Sequence, residues 1–254
     1  MKIVVIYGTR LKSKSSTYNI AQRFIKILSG TDKVTEFFLP ESMPKFCIGC
    51  RNCFTDYTKC PDYTYLKPIM EAMLEGDLLI FTAPVYVGQI PGQMKAFLDH
   101  LGYQSMAHQP RKEMFGKRAL LISTAAGSGT KPALKTMESC MSNWGISGIT
   151  KFGKNVHSGS WDMVDEKIKL KIQKKINALS SRIIKTKDRR INPSLYVRSM
   201  FYLMRFLHKT FRNMPAGIRN MSCMHWARLI IDDYAPADIN HWESRGWLKK
   251  ERPW

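Results

Sequence analysis

Four cysteines fall within 14 residues: Cys47, Cys50, Cys53 and Cys60, spaced C-x2-C-x2-C-x6-C, with Pro61 directly after the last. Thiolates are soft ligands, and four of them this close on one chain can wrap a single compact metal cluster. Gly49 eases the tight backbone between the first two. Three closely spaced cysteines and a later Cys-Pro resemble the ligation of a [4Fe-4S] cluster, with a longer last gap than bacterial ferredoxins use. A structural zinc normally takes two chelating pairs set further apart. Free or redox-active thiols, zinc and disulfides are the other readings of the run. Cys140 and Cys223 stand outside it and read as small buried apolar residues.

Three further loops have the composition of a ligand site. The first runs from Gly8 through Thr9, Arg10, Ser13, Ser15, Ser16 and Thr17, rich in hydroxyls and basic groups, and opens into an amphipathic stretch. Backbone N–H groups at a helix N-terminus bind phosphate, and hydroxyls add donors. It holds neither Gly-x-Gly-x-x-Gly nor Gly-Lys-Ser/Thr, which argues against a dinucleotide fingerprint or a Walker loop. A terminal phosphomonoester, as in FMN, suits such a loop; a plain Ser/Thr helix cap is the simpler reading. The second loop is Ala83-Pro84-Val85-Tyr86-Val87-Gly88-Gln89-Ile90-Pro91-Gly92, able to lay apolar side chains along a flat ring and read its edge with backbone groups. The third, Ser123-Thr124-Ala125-Ala126-Gly127-Ser128-Gly129, is small enough for close approach by a ring or by another segment.

These loops need elements to place them. Short apolar runs at 3–7, 33–39, 77–82, 118–123 and, more weakly, 146–152 predict five strands. Amphipathic patterns at 17–29, 65–75, 92–101, 132–144 and 164–184 predict helices between and after them. Gly30 suits the cap of the first helix. Continuous apolar strands alternating with helices predict an α/β doubly wound parallel sheet, of order 2-1-3-4-5 for five strands. Ligands in such sheets sit beyond the carboxyl ends of the strands, where the loops after strands 1, 3 and 4 lie.

With these residues assembled, the chain resembles the flavodoxin-like NAD(P)H-dependent FMN reductases and, within them, the iron–sulfur flavoproteins. The resemblance rests on Tyr7-Gly8-Thr9-Arg10 with Ser16-Thr17, on Ala83-Pro84-Val85-Tyr86 with Lys95 and Asp99, on Ser123-Thr124-Ala125-Ala126-Gly127 and on the cysteine run, and covers roughly residues 1–155. It implies an FMN phosphate at Thr9, Arg10, Ser16 and Thr17. The isoalloxazine would lie at Pro84, Val85, Tyr86, Val87 and Gly88, with Ser123, Thr124, Ala125 and Gly127 covering another part of the ring. The family's Ser-Pro-Arg start is Thr9-Arg10 here. The implied activity is hydride transfer from NAD(P)H to FMN and electron transfer onward, with Cys47, Cys50, Cys53 and Cys60 as ligands if a [4Fe-4S] cluster is present. No acid, base or nucleophile is singled out as catalytic; His100 and His108 follow the second loop and are either packing residues or substrate contacts. A homodimer or higher homo-oligomer is expected.

The chain carries 40 Lys and Arg against 20 Asp and Glu, a formal net charge of +20. Residues 1–150 hold 18 basic and 11 acidic residues, and 151–254 hold 22 and 9, so the excess gathers in the last 104 residues. Such a field draws anions without choosing among nucleotide, nucleic acid and lipid. Residues 1–187 are expected to form the FMN-binding domain and 188–254 a basic, aromatic- and Met-rich helical extension, with one helix after Pro193 and another near 216–231, and Trp242, Trp247 and Trp254 beyond. An arm that closes over the flavin or packs on a second subunit is expected of this extension, with contact to an anionic membrane surface as the rival. A nucleic-acid-binding module would leave the flavin loops unexplained, and a flavodoxin-type carrier without an NAD(P)H site is the other alternative. The amino terminus lacks a signal-peptide core and no apolar run is long enough to span a bilayer, so a cytoplasmic location is expected.

Overall fold

A computed structural model describes residues 1–30, 32–39, 41–105 and 111–212. The first apolar run forms β1 (Ile3–Tyr7), and the chain returns through α1 (Ser16–Leu28) to β2 (Val34–Phe38). The cysteine segment follows, with one short turn of helix, α2 (Asn52–Thr55), before α3 (Tyr63–Glu75). Then come β3 (Leu78–Pro84), α4 (Gly92–His100), the short α5 (Gly102–Ser105) and β4 (Arg118–Ala125). The last described elements are α6 (Thr130–Asn143), β5 (Gly148–Asn155), α7 (Glu166–Thr186) and α8 (Leu195–Arg212). All strand pairs are parallel, in the expected order β2-β1-β3-β4-β5.

The central strands are apolar on both sides because helices cover both. Val4, Ile6, Leu79, Phe81, Ala119 and Leu121 pack with residues of α3, α4 and α6. Their sequence neighbours Ile3, Val5, Tyr7, Leu78, Ile80, Leu120 and Ile122 pack on α1 and α7. Full burial of each large aliphatic or aromatic side chain contributes about 1.5–3 kcal/mol, so these two layers supply most of what offsets chain entropy.

Helix positions follow from caps and spacing. The Ser15 side chain accepts from the Tyr18 N–H at the start of α1, and Gly30 turns the chain past its end at φ +54°. Asp165 caps α7, accepting from Lys167 and Ile168 N–H. Ile172, Ile176 and Ile183 face inward at helical spacing, while lysines occupy much of the rest of the helix. Much of the local positive charge is therefore a solvated helix face.

The fifth strand starts two residues later than 146 and runs three past 152. Ile146 is instead buried in the turn after α6, where Gly145 has φ +95°. The edge position tolerates the polar residues Lys154 and Asn155, which pair with Thr124 and Ala125. In α8, Val197 is buried and the Tyr196 hydroxyl donates to Asn143 Oδ1 at 2.6 Å, so the helix leans on α6; Leu195, Leu203 and Phe206 are exposed. Among the described residues no helix is long and apolar enough to cross a membrane. The expected helix at 216–231, Trp242, Trp247, Trp254, Cys223 and His108 lie outside the described residues.

Candidate functional site

The loops after β1, β3 and β4 all leave the carboxyl edge of the sheet and are tied to one another. The Gly8 N–H donates to Thr82 O at 2.7 Å, and a Cβ at position 8 would stand 2.8 Å from that same oxygen. Only glycine lets β1 leave the sheet that close to β3. Thr9 Oγ1 then accepts from the Leu11 N–H at 3.2 Å. Ser15, Ser16 and Thr17 are buried at the head of α1, and Ser15 Oγ and Thr17 Oγ1 share a hydrogen bond of 2.8 Å. Arg10, Lys12 and Lys14 are exposed on the same loop, which holds no acidic residue. The first-turn N–H groups of α1 have no intrahelical carbonyl to bond, and the Ser15 side chain takes that of Tyr18. The donor set suits an anion.

At the β3 exit, the Val85 N–H donates to Thr124 O at 2.8 Å, joining the second and third loops. Tyr86 and Gln89 exchange backbone bonds of 2.9 and 3.0 Å around a two-residue turn, with Val87 at φ +49° and Gly88 at φ +74°. A β-branched residue in the left-handed region is strained, and its side chain is fully exposed. The third loop lies against this turn. Gly129, at φ +102°, is so close that a Cβ there would meet Val85 Cγ1 at 2.7 Å. Pro84 and Val85 are half-buried, Tyr86 and Gly88 exposed; Ser123, Thr124 and Ala125 are buried and Gly127 exposed. Thr82 Oγ1, Ser123 Oγ and Asn155 Oδ1, near the ends of three adjacent strands, are buried without a protein hydrogen-bond partner among the described residues. An unmet buried hydroxyl costs about 1–3 kcal/mol, so these atoms suit a polar ligand at this edge. Together with the phosphate-type loop, they fit FMN.

Sequence spacing missed one network here. The Tyr7 hydroxyl donates to Glu36 Oε1 at 2.6 Å, and Gln22 Nε2 donates to both Glu36 Oε1 (2.6 Å) and the Tyr7 oxygen (2.9 Å). The Tyr7 ring stacks on Phe38 at 4.5 Å. Burial first, and then Glu36, push the Tyr7 hydroxyl far above its ordinary pKa. The partners come from β1, α1 and β2, so no local pattern announces them.

The cysteine run leaves β2 on a different footing. Cys47 and Cys50 are exposed, Cys53 and Cys60 half-buried. Burial pushes the Cys53 thiol up to about 12, and the neighbouring thiols of Cys60, Cys47 and Cys50 push it the same way. Cys60 is raised by burial, against an N–H from Asp62, with Asp62, Cys50 and Cys47 adding to the rise. Cys53 and Cys60 thus feel the neighbouring thiols and resist becoming thiolates unless a cationic core joins them, as cluster iron does. Among the described residues no three of the four sulfurs lie within 4.8 Å of one another. A tetrahedral zinc with bonds of 2.3 Å needs spacings of about 3.8 Å. The donor set and its openness fit a cluster better than zinc. Tyr57 anchors the segment, stacked on buried Tyr103 at 5.7 Å with the Arg111 guanidinium 5.5 Å from its ring centroid.

His100, considered for substrate contact, is buried: Nδ1 is 2.7 Å from Ala96 O and Nε2 is 3.0 Å from Asp62 Oδ2. Cys140 is half-buried, and burial raises its thiol.

The family model of the NADPH-dependent FMN reductases matches residues 1–155. The chain belongs to that family. Its membership makes it an FMN-dependent NAD(P)H oxidoreductase of flavodoxin-like fold. Among curated relatives, an iron-sulfur flavoprotein of Methanocaldococcus jannaschii is 28% identical over 131 residues, 51% of this chain and 67% of that protein. One from Clostridioides difficile is 25% identical over 198 residues, 76% of this chain and 82% of its own. An azoreductase structure from Bacillus anthracis superposes with a TM-score of 0.57 at 14% identity, covering 72% of this chain and 99% of that one. A Bacillus anthracis FMN-dependent NADH-azoreductase solved with FMN gives 0.55 at 13%, covering 72% and 99%. The two structures share the fold of this reductase.

Proposed function

We propose that this reductase takes hydride from NAD(P)H onto FMN at the carboxyl edge and passes electrons to an acceptor through a [4Fe-4S] cluster held by Cys47, Cys50, Cys53 and Cys60. The observation that carries the flavin part is the knot of three loops, with hydroxyl and basic groups and no acidic residue at the head of α1 and three buried polar atoms beside it that have no protein partner among the described residues. FMN, when bound, supplies the hydride-accepting and single-electron chemistry.

The chain's own residues bind and orient. Thr9, Arg10, Ser16 and Thr17 hold the phosphate, neutralising it with N–H, hydroxyl and guanidinium donors. Pro84, Val85, Tyr86, Val87 and Gly88 set the ring's position, and the strained turn at Val87 and Gly88 presents backbone groups to its edge. Ser123, Thr124, Ala125 and Gly127 bound the other part of the ring. The iron–sulfur assignment draws on the mutual proximity of the four thiols and on the names of the curated relatives. A cytoplasmic homodimer or higher homo-oligomer completes this reading, with exposed Tyr86 and Val87 at the mouth.

An anaerobic absorption spectrum, with flavin and iron assayed on the same sample, tests it. Flavin bands with a broad iron–sulfur shoulder and about four irons per chain are expected. Flavin without iron sinks the cluster and leaves a plain FMN reductase. No flavin, and no binding of added FMN, sinks the whole proposal.

A further inference from the structure

Asp62 stands at the N-cap of α3, where an aspartate normally accepts from the first-turn N–H groups. It makes no such bond. Its carboxylate turns instead to His100 Nε2 on α4, at 3.0 Å. The His100 side chain is 1% exposed and that of Asp62 18%. On its other side, His100 Nδ1 is 2.7 Å from Ala96 O, and a carbonyl can only accept, so Nδ1 carries a proton and the ring orientation is fixed. The Cys60 sulfur, an Asp62 oxygen and a His100 nitrogen lie within 4.8 Å of one another. The Asp62 backbone N–H also faces the Cys60 sulfur. A histidine locked by a carbonyl and holding a carboxylate beside a ligating sulfur is the arrangement by which outer groups orient and tune a metal site.

We propose that Asp62 and His100 are positioning residues for Cys60: the histidine holds Asp62, Asp62 directs an N–H and a negative charge at the Cys60 sulfur, and the pair thereby sets the reduction potential of the cluster. The inference rests on the proposed cluster. Hydrogen bonds to ligand sulfur and local net charge are the levers that set such potentials. The pair also carries a sign that simple scaffolding lacks. Without the carboxylate charge, the electron is favoured.

The test is anaerobic reconstitution of the full chain with iron and sulfide, as wild type, His100→Gln and Asp62→Asn. Iron per chain, the midpoint potential from an EPR-monitored titration, and the urea midpoint are read on each. Asn matches Asp in shape and keeps the backbone N–H, so that variant stays informative if His100→Gln folds poorly. The expected result is a higher potential in Asp62→Asn with wild-type iron content, and a potential displaced from wild type in His100→Gln, where Asp62 loses its 3.0 Å contact. Wild type that loads iron while Asp62→Asn keeps the wild-type potential, or shifts downward, overturns the positioning role alone. Wild type that takes up no iron overturns the cluster, and the positioning role with it.

Discussion

The loop after β1 and the segment after β2 leave adjacent strands, yet they are held in different ways. The first is bolted to β3 through Gly8 and Thr82 and runs into a helix capped by Ser15, with three hydroxyl residues buried at the junction. The second puts Phe46, Cys47, Ile48 and Cys50 in solvent and is anchored further on, through Tyr57 on Tyr103 and Asp62 on His100. A phosphate is met by a preorganised nest, because each donor must already point inward when the anion arrives. Thiols that receive a cluster gain rigidity from the metal itself, because ligand binding and local ordering occur together. The difference teaches that the flavin edge belongs to the fold, whereas the cysteine segment would be finished by the proposed cluster.

The largest expected effect breaks the flavin side. Gly129→Val forces a branched side chain into φ +102° and against Val85 Cγ1. It should lower stability by about 2–4 kcal/mol in urea unfolding and abolish FMN retention; a variant that keeps bound FMN would show that the two loops need not touch. Next, Thr17→Ala removes a buried hydroxyl at the proposed phosphate site without unseating the Ser15 cap. FMN affinity should fall about tenfold to a hundredfold, since a hydrogen bond to a charged group is worth about 1.5–3 kcal/mol; fluorescence titration reads it.

The third prediction tests the independence of the cysteine segment. Cys47→Ser with Cys50→Ser should abolish iron loading while flavin content stays at the wild-type level and the urea midpoint hardly moves, because both residues are exposed. A loss of flavin in that variant would join the two regions into one unit.

The fourth concerns pH in metal-free protein. The Cys53 thiol keeps its proton up to about 12 in the folded chain, against 9.0 when unperturbed. The unfolded chain releases that proton first, so this contribution is fully present below about 9 and is lost as pH rises toward 12. Urea midpoints measured upward from neutral pH should fall over that window, and Cys53→Ala should flatten the fall. The smallest effect belongs to Val87→Ala. Its side chain touches solvent only, so stability should change by less than about 0.5 kcal/mol, while NADPH turnover reports whether the exposed apolar rim is used.

The strand order, the ligand edge, the hydroxyl-rich helix head and the cysteine spacing were all legible along the chain. Each arises from local chemistry: uninterrupted apolar runs, turn residues at fixed offsets, donors in a row. The edge strand β5 was misplaced by a few residues because strand ends on a sheet's rim are chosen by ladder partners such as Thr124 and Ala125 more than by hydropathy. Tyr7 read as the end of an apolar strand and the first residue of the Tyr7-Gly8-Thr9-Arg10 motif, and its link to Gln22 and Glu36 became visible once β1, α1 and β2 were brought together.

What the sequence by itself determined is the inventory: a parallel α/β sheet, a phosphate-type loop at its carboxyl edge and a set of four clustered thiols. What only the tertiary structure decided is which of these groups meet. Val85 lies against Gly129, and Asp62 forsakes its helix cap for a histidine 38 residues away. The physical reason is that spacing encodes interactions within one turn or one strand, whereas contacts between elements depend on how helices settle on the sheet, which emerges from packing of the whole core.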